Sequence, residues 1–240
     1  MHKSLAVAIA ASAVLASGCH VRAEENAGPE VSRNYQVGAF QEIEVAGPYD
    51  VEVKTGANPS VSARGSEKLL GKTLVEVKNG KLVIHPQREH GLNFGWGNHG
   101  KASFTVTVPQ LSGATIAGSG DVRIDKVQGQ SFKGTVAGSG GLDIGAIEVQ
   151  SLEMNIAGSG EIRAAGKAQS ADYGIAGSGD LELGGVQTQQ AKVSIAGSGN
   201  VHAHSSGTAD VSIVGAGDVE ITGGAKCKVS KTGAGDVRCS

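Results

Sequence analysis

A Gly-Ser-Gly or Gly-Ala-Gly unit recurs every 18 to 20 residues through the second half of this 240-residue chain. The first glycines of the seven copies are Gly118, Gly138, Gly158, Gly177, Gly197, Gly215 and Gly233. A fixed period of this length is typical of solenoid proteins, in which each repeat forms one coil and buries its apolar face against the next coil. Gly also suits a tight corner, since it adopts positive φ and has no Cβ to crowd the coil above or below.

Aliphatic and polar residues alternate on both sides of each unit. The aliphatic residues two positions before it are Ile116, Val136, Ile156, Ile175, Ile195 and Ile213, and those two positions after it are Val122, Leu142, Ile162, Leu181, Val201, Val219 and Val237. A period of two indicates strands with one buried face. We therefore predict an all-β fold, a single-stranded β-helix or β-solenoid of about seven coils of ~20 residues, whose apolar filling leaves no room for a solvent-filled active site.

Short strands are predicted ahead of the repeat, in residues 35–110. Aliphatic alternation around Ile43, Val51 and Leu82 indicates strands, and Asn79-Gly80 is a hairpin signal. The repeat occupies residues 111–240. We expect the two parts to form one domain, residues 35–240.

The N-terminus has the layout of an export signal. Met1-His2-Lys3 precede an apolar run from Leu5 to Leu15, which is shorter than the ~20 residues that span a membrane. The small residues before Cys19 resemble the lipobox of bacterial lipoproteins. The resemblance implies a signal peptide of residues 1–18, cleavage before Cys19 and acylation of its thiol, with plain secretion as the alternative.

The segment after the cleavage site, residues 19–34, is polar and shows no period. It is expected to form a flexible tether between the membrane and the domain. His20 follows the cysteine where inner-membrane lipoproteins of enteric bacteria carry Asp, which implies sorting to the outer membrane, facing the periplasm or the cell surface.

The three cysteines agree with export. If Cys19 carries lipid, Cys227 and Cys239 remain as a pair in an oxidising compartment. Both lie in the inward phase of their strands, so a disulfide between them is expected to staple the last coil, where Lys231 replaces the usual Ile. Two free buried thiols are the alternative.

A formal charge of -2 with 18% charged residues gives no sign of a nucleic-acid or polyanion binder. Gly is abundant at 38 residues, but only 5 Pro accompany it, which argues against collagen and against a disordered Pro/Gly tract. Many tight turns are the better explanation.

Several motifs resemble a known bacterial family. They are Phe40-Gln41-Glu42-Ile43-Glu44-Val45, Gly47-Pro48-Tyr49-Asp50-Val51, Gly80-Lys81-Leu82-Val83-Ile84, the Gly-Ser-Gly series and the closing Gly-Asp-Val-Arg-Cys. From about Tyr35 to Ser240 the chain looks like the putative auto-transporter adhesin, head GIN domain family. The resemblance implies a β-solenoid of pectin-lyase-like architecture without that superfamily's catalytic residues. It implies adhesion as a proposed role and supplies no functional residues.

The position after each repeat unit is mostly acidic. Its residues are Asp121, Gly141, Glu161, Asp180, Asn200, Asp218 and Asp236. A column of carboxylates is a candidate Ca²⁺ site, but it offers about one side chain per coil, whereas calcium loops supply several oxygens per ion. Ordinary turn chemistry, in which Asp and Asn bond local backbone N–H groups, is the favoured interpretation.

Residues 88–101 are rich in Gly, hold the only Trp of the chain and are predicted to form a loop. Phe94 and Trp96 are candidates for stacking on a sugar or anchoring a protein partner. The alternative is that the loop covers the N-terminal end of the solenoid. His85, His90 and His99 match no metal-ligand spacing, so no metal and no cofactor is expected.

Catalysis is not expected, because the exposed charges appear one per coil rather than as a converging set. We expect a non-catalytic cell-envelope lipoprotein, anchored to the membrane by lipid, that presents its solenoid as an adhesin or for other protein or glycan contact. The alternatives are a periplasmic structural or stress-response protein with no external ligand, and a polysaccharide-active β-helix enzyme.

Overall fold

The computed structural model describes residues 28–87 and 101–240. The described part contains one short helix, α1 (Glu67–Gly71), among its strands. The strands before the long coils are β1 (Glu30–Tyr35), β2 (Glu42–Ala46), β3 (Asp50–Thr55), β4 (Ser60–Ser66), β5 (Thr73–Lys78), β6 (Lys81–Pro86), β7 (Ala102–Val108), β8 (Gly113–Gly118) and β9 (Asp121–Ile124). The remaining strands are β10 (Val127–Gly138), β11 (Gly141–Gly158), β12 (Glu161–Gly177), β13 (Asp180–Gly197), β14 (Asn200–Gly215), β15 (Val219–Thr222), β16 (Lys226–Gly233) and β17 (Val237–Cys239).

The predicted β-solenoid is confirmed. Strands β11, β12 and β13 are each 17 or 18 residues long and bend around a whole coil, and each pairs in parallel with the next. The first glycines of all seven repeat units lie in one register column, which spans about six turns. Equivalent residues therefore stack coil upon coil.

The interior consists of aliphatic ladders. The column from Ile116 to Ile213 contains the residues predicted two positions before each unit, and each is no more than 3% exposed. In the last coil Lys231 takes the register position next to Ile213 and is exposed. The ladder therefore ends with a charged side chain, which protects the open edge against pairing with another strand.

The corner glycines are packed too closely for any side chain. Gly138 has φ +135°, and a Cβ built on it would lie 2.3 Å from the carbonyl oxygen of Gly118 in the preceding coil. The middle residue, Ser139, is exposed and uses its backbone N–H to bond Gly118 O at 2.9 Å. This explains why Ala replaces Ser in two units while both glycines persist.

The N-terminal part adds antiparallel strands to the parallel stack. Strand β2 pairs with β6 and β8, and β3 pairs with β7 and β9, so both belong to the first coils. The antiparallel additions are β4 on β7, β1 on β4 and β5 on β6. The hairpin predicted at Asn79-Gly80 joins β5 to β6, with both residues at positive φ.

The flexible tether predicted for residues 19–34 extends too far toward the C-terminus, because its last residues form a strand. Strand β1 begins at Glu30, and its Val31 and Tyr35 pack against the core. Arg33 anchors the strand by donating a hydrogen bond from Nη1 to Leu70 O at 2.9 Å. The sequence interpretation missed this alternation because the segment is polar and short, and its pairing partner β4 lies about 30 residues further along. Within the described residues, no helix has the length and hydropathy needed to cross a membrane.

Candidate binding surface

The outer faces of the solenoid are the surfaces open to a ligand, because aliphatic side chains fill the interior of the described coils. The buried polar side chains of the described residues include Ser66, Thr73, Thr188 and Ser205. The hydroxyl groups of Thr73, Thr188 and Ser205 bond backbone carbonyls close by. The surface depressions of the described coils are grooves lined by outward side chains.

The acidic row after the repeat units is hydrogen-bonded from coil to coil. Asp121 Oδ1 accepts from the N–H of Gly141 at 2.9 Å, and Asp218 Oδ1 accepts from the N–H of Asp236 at 2.7 Å. Asn200 joins the same ladder by accepting from the N–H of Asp218. The acceptors therefore bond backbone N–H groups of the next coil, 18 or 20 residues away, rather than the local N–H groups expected from the sequence. Among the described residues, no group of three or more His, Cys, Asp or Glu is arranged to hold a metal ion.

A second outward column alternates between acidic residues and Arg or His. In register it runs Glu52, Arg123, Asp143, Arg163, Glu182, His202, Glu220 and Arg238. The Nδ1 atom of His202 lies 3.7 Å from Glu182 and 3.9 Å from Glu220. Because like charges on neighbouring coils would repel each other, alternation favours the observed stacking register.

An open groove of about 730 Å³, here called the acidic groove, crosses the N-terminal end of this face. Its charged lining residues are Asp50, Glu52, Asp121, Arg123, Asp125 and Asp143. They converge because β3, some 70 residues earlier in the chain, pairs with β9. The expectation of one exposed charge per coil is therefore wrong here, since it considered only the repeat.

A third face carries a groove of about 500 Å³, here called the glutamine groove. Its floor is formed by Gly129, Val149, Ala168 and Thr188. One wall is formed by Glu148, Lys167 and Gln187, and the other by Gln150, Gln169 and Gln189. Ser206 lies at one end. The wall residues are exposed, whereas Val149, Ala168 and Thr188 are 8%, 6% and 3% exposed. Sequence reasoning missed this groove, although its three wall glutamines are 19 and 20 residues apart.

One wall of the glutamine groove is internally neutralised. Lys167 Nζ lies 2.8 Å from Glu148 Oε1, and Gln128 donates from Nε2 to Glu148 Oε2 at 3.3 Å. These hydrogen bonds, first that from Lys167, lower the pKa of Glu148. The pair therefore presents a dipole rather than a net charge.

The structure joins Cys227 to Cys239 in a disulfide, with their Cα atoms 6.6 Å apart. Cys227 is half-buried against the last core ladder, and Cys239 pairs in register with the buried Ile221. His85 is half-buried and places Nε2 3.1 Å from Glu76 Oε1. The candidate lipidation site Cys19 and the candidate contact residues Phe94 and Trp96 lie outside the described residues, as do His90 and His99.

Comparison with known proteins gives a family and a set of folds. Residues 39–225 match the family model described as "Putative auto-transporter adhesin, head GIN domain". No curated protein matches this chain.

Three solved structures illustrate the similarity. A putative adhesin from Bacteroides fragilis NCTC 9343 is 22% identical with a TM-score of 0.79, covering 88% of this chain and 97% of that one. A putative lipid binding protein from Parabacteroides distasonis ATCC 8503 is 25% identical with a TM-score of 0.69, covering 89% and 97%. A putative adhesin from Parabacteroides merdae ATCC 43184 is 20% identical with a TM-score of 0.70, again covering 89% and 97%.

Proposed function

This chain belongs to the family described as "Putative auto-transporter adhesin, head GIN domain", and from that premise we propose that it is a non-catalytic, lipid-anchored envelope protein that contacts a partner through its outer faces. The observation that carries the proposal is the filled interior of the solenoid. Ligand sites of enzymes and carriers are usually concave pockets that bury most of the ligand. A rigid stack of coils with shallow outer grooves suits contact with an extended partner better.

The export signal predicted from the sequence supports the anchored arrangement. Cleavage before Cys19 would leave eleven residues between the lipid and Glu30, where β1 begins. Eleven extended residues span at most about 40 Å. The N-terminal end of the solenoid would then stay near the membrane, and the disulfide-stapled end would point away from it.

Protease treatment of intact cells tests this proposal. We expect the full-length protein to be degraded on intact cells and a Cys19→Ala variant to be lost from the membrane fraction. A soluble periplasmic protein, protected until the outer membrane is breached, is the control. If the chain is protected in the same way, the adhesin function is wrong and a periplasmic scaffold takes its place.

The acidic groove favours one further candidate function, cleavage of a polysaccharide. Carboxylates together with Arg123 on one face are the residue types that lyases and glycosidases use. Turnover of a panel of polysaccharides that is abolished by Asp143→Asn would establish this function. Absence of turnover across the panel would leave the binding role.

A further inference from the structure

We propose that the glutamine groove binds a linear, uncharged glycan that lies along the solenoid axis; this inference names the partner class and rests on the proposed binding function. The first reason is the chemistry of the walls. Each of Gln150, Gln169 and Gln189 presents an amide with two donors and one acceptor oxygen. Sugar hydroxyls both donate and accept, so such amides can satisfy them in either role.

The charge of the groove favours a neutral polymer. Its charged lining residues, Glu148 and Lys167, form an ion pair with each other, whereas the acidic groove has five carboxylates and one Arg. A polyanion or polycation would gain little attraction from a paired wall and would have to compete with that pair. An uncharged chain meets no such opposition.

The spacing of the amides favours a glycan over a peptide. Ser151, Ser170 and Gln190 are stacked in register, so the residue before each of them occupies the same position in successive coils. The three wall glutamines therefore repeat at the strand spacing, about 4.8 Å. An extended peptide repeats its same-face side chains every ~6.8 Å and would lose step with them. One pyranose ring with its linking oxygen is roughly as long as the rise from one coil to the next. A glycan lying along the axis would therefore meet an equivalent amide at each ring.

The side chains on the floor of the groove leave no hydrogen-bonding group unpaired. Val149 and Ala168 are small and apolar, and Thr188 uses its hydroxyl to donate to His204 O at 2.6 Å. A ligand therefore needs to form no hydrogen bond with these floor side chains. Val149 and Ala168 are 8% and 6% exposed and belong to the core, so the amides on the wall are the groups that a sugar would contact.

Binding of the purified full-length protein to defined oligosaccharides tests the inference. The probes are neutral glucan, mannan and galactan oligomers, with polygalacturonate oligomers and an unstructured polar peptide for comparison. We expect at least one neutral oligomer to bind with an affinity that does not change between low and high salt. The triple variant Gln150→Ala, Gln169→Ala and Gln189→Ala should weaken binding about tenfold or more. The double variant Gln41→Ala and Gln190→Ala removes exposed glutamines outside the groove and should bind like the original protein.

Three results would overturn the inference: no binding to any neutral oligomer, binding only to the charged oligomers or the peptide, or neutral binding that survives the triple substitution. Thermal unfolding of each variant establishes that its fold is intact. The result is separate from the protease test of the proposed function. Surface exposure without glycan binding would reject only the groove, and glycan binding by a protected protein would reject only the surface location.

Discussion

The Oδ1 atom of Asp180 accepts hydrogen bonds from both the backbone N–H and the side-chain Nδ2 of Asn200, at 3.1 and 2.9 Å. Asn200 occupies the equivalent position in the next coil and passes the same bond on to Asp218. Asp180→Ala should therefore lower the free energy of unfolding by about 1 kcal/mol. Asp180→Asn should cost less, because Asn accepts the bond at the neighbouring rung. Urea unfolding of the two variants measures the difference, and equal losses would contradict the role of the acceptor oxygen.

The same ladder predicts that calcium leaves the protein unchanged. One oxygen, Oδ1, of each of Asp121, Asp180 and Asp218 already accepts a backbone N–H group. Calcium needs six to eight oxygens around one ion. Thermal unfolding with millimolar Ca²⁺ and with chelator should give the same midpoint, and a midpoint several degrees higher with Ca²⁺ would contradict this.

The glycine corner predicts a sharp contrast between adjacent positions. Gly158 has φ +133°, and a Cβ there would lie 2.3 Å from Gly138 O. Gly158→Ala should destabilise the protein by about 3 kcal/mol or more, because strain and a backbone clash add. Ser159→Ala, the matched control, should change stability by less than about 0.5 kcal/mol, since its side chain is exposed. Similar losses for both variants would show that the corner is not close-packed.

Tyr173 is fully buried, and within the described part of the chain its hydroxyl has no hydrogen-bond partner. Burial raises the pKa of the Tyr173 phenol. An unfolded tyrosine loses its proton near pH 10 while the folded one retains it, so stability falls as pH rises through about 10. Tyr173→Phe should raise the free energy of unfolding at neutral pH by about 1 kcal/mol and weaken the fall above pH 10. The pKa of the buried Tyr49 is also raised, so the variant should still lose some stability above pH 10. A destabilised variant would indicate that the hydroxyl has a partner.

The Cys227–Cys239 disulfide joins two residues of the last coil that are 12 positions apart in the sequence. The chain-entropy estimate for a loop of this size is about 3 kcal/mol. Cys227→Ala with Cys239→Ala should speed hydrogen exchange in β16, because this strand has a neighbour on one side only. Exchange in β12, held between two coils, should stay slow. Equal acceleration in both strands would mean that the staple stabilises the whole solenoid rather than its end.

Much of the fold could be read from the sequence because a solenoid repeats its local rule. The aliphatic positions beside each glycine unit predicted which residues are buried, and Val122, Leu142 and Ile162 are each at most 1% exposed. The rule weakens where the repeat ends. In the last coil Val237 is only half-buried, since no further coil covers it.

The grooves could not be predicted in the same way. The acidic groove requires Asp50 and Glu52 on β3 to lie beside Arg123 on β9, a pairing between segments about 70 residues apart. The glutamine groove depends on which columns of outward side chains lie on either side of the same depression. Its regular spacing was present in the sequence, but an exposed glutamine is an ordinary surface residue until its neighbours are known.

The sequence by itself determined the coil, because a two-residue alternation and a periodic glycine leave few other ways to bury the aliphatic residues. The tertiary structure alone decided how the first strands join the stack, where β1 begins, and which side chains from distant segments share a face. The physical reason is the sequence separation over which each kind of interaction acts. Alternation and corner geometry act between residues close in the chain, whereas antiparallel pairing and convergence of side chains depend on contacts between segments that the local pattern does not relate.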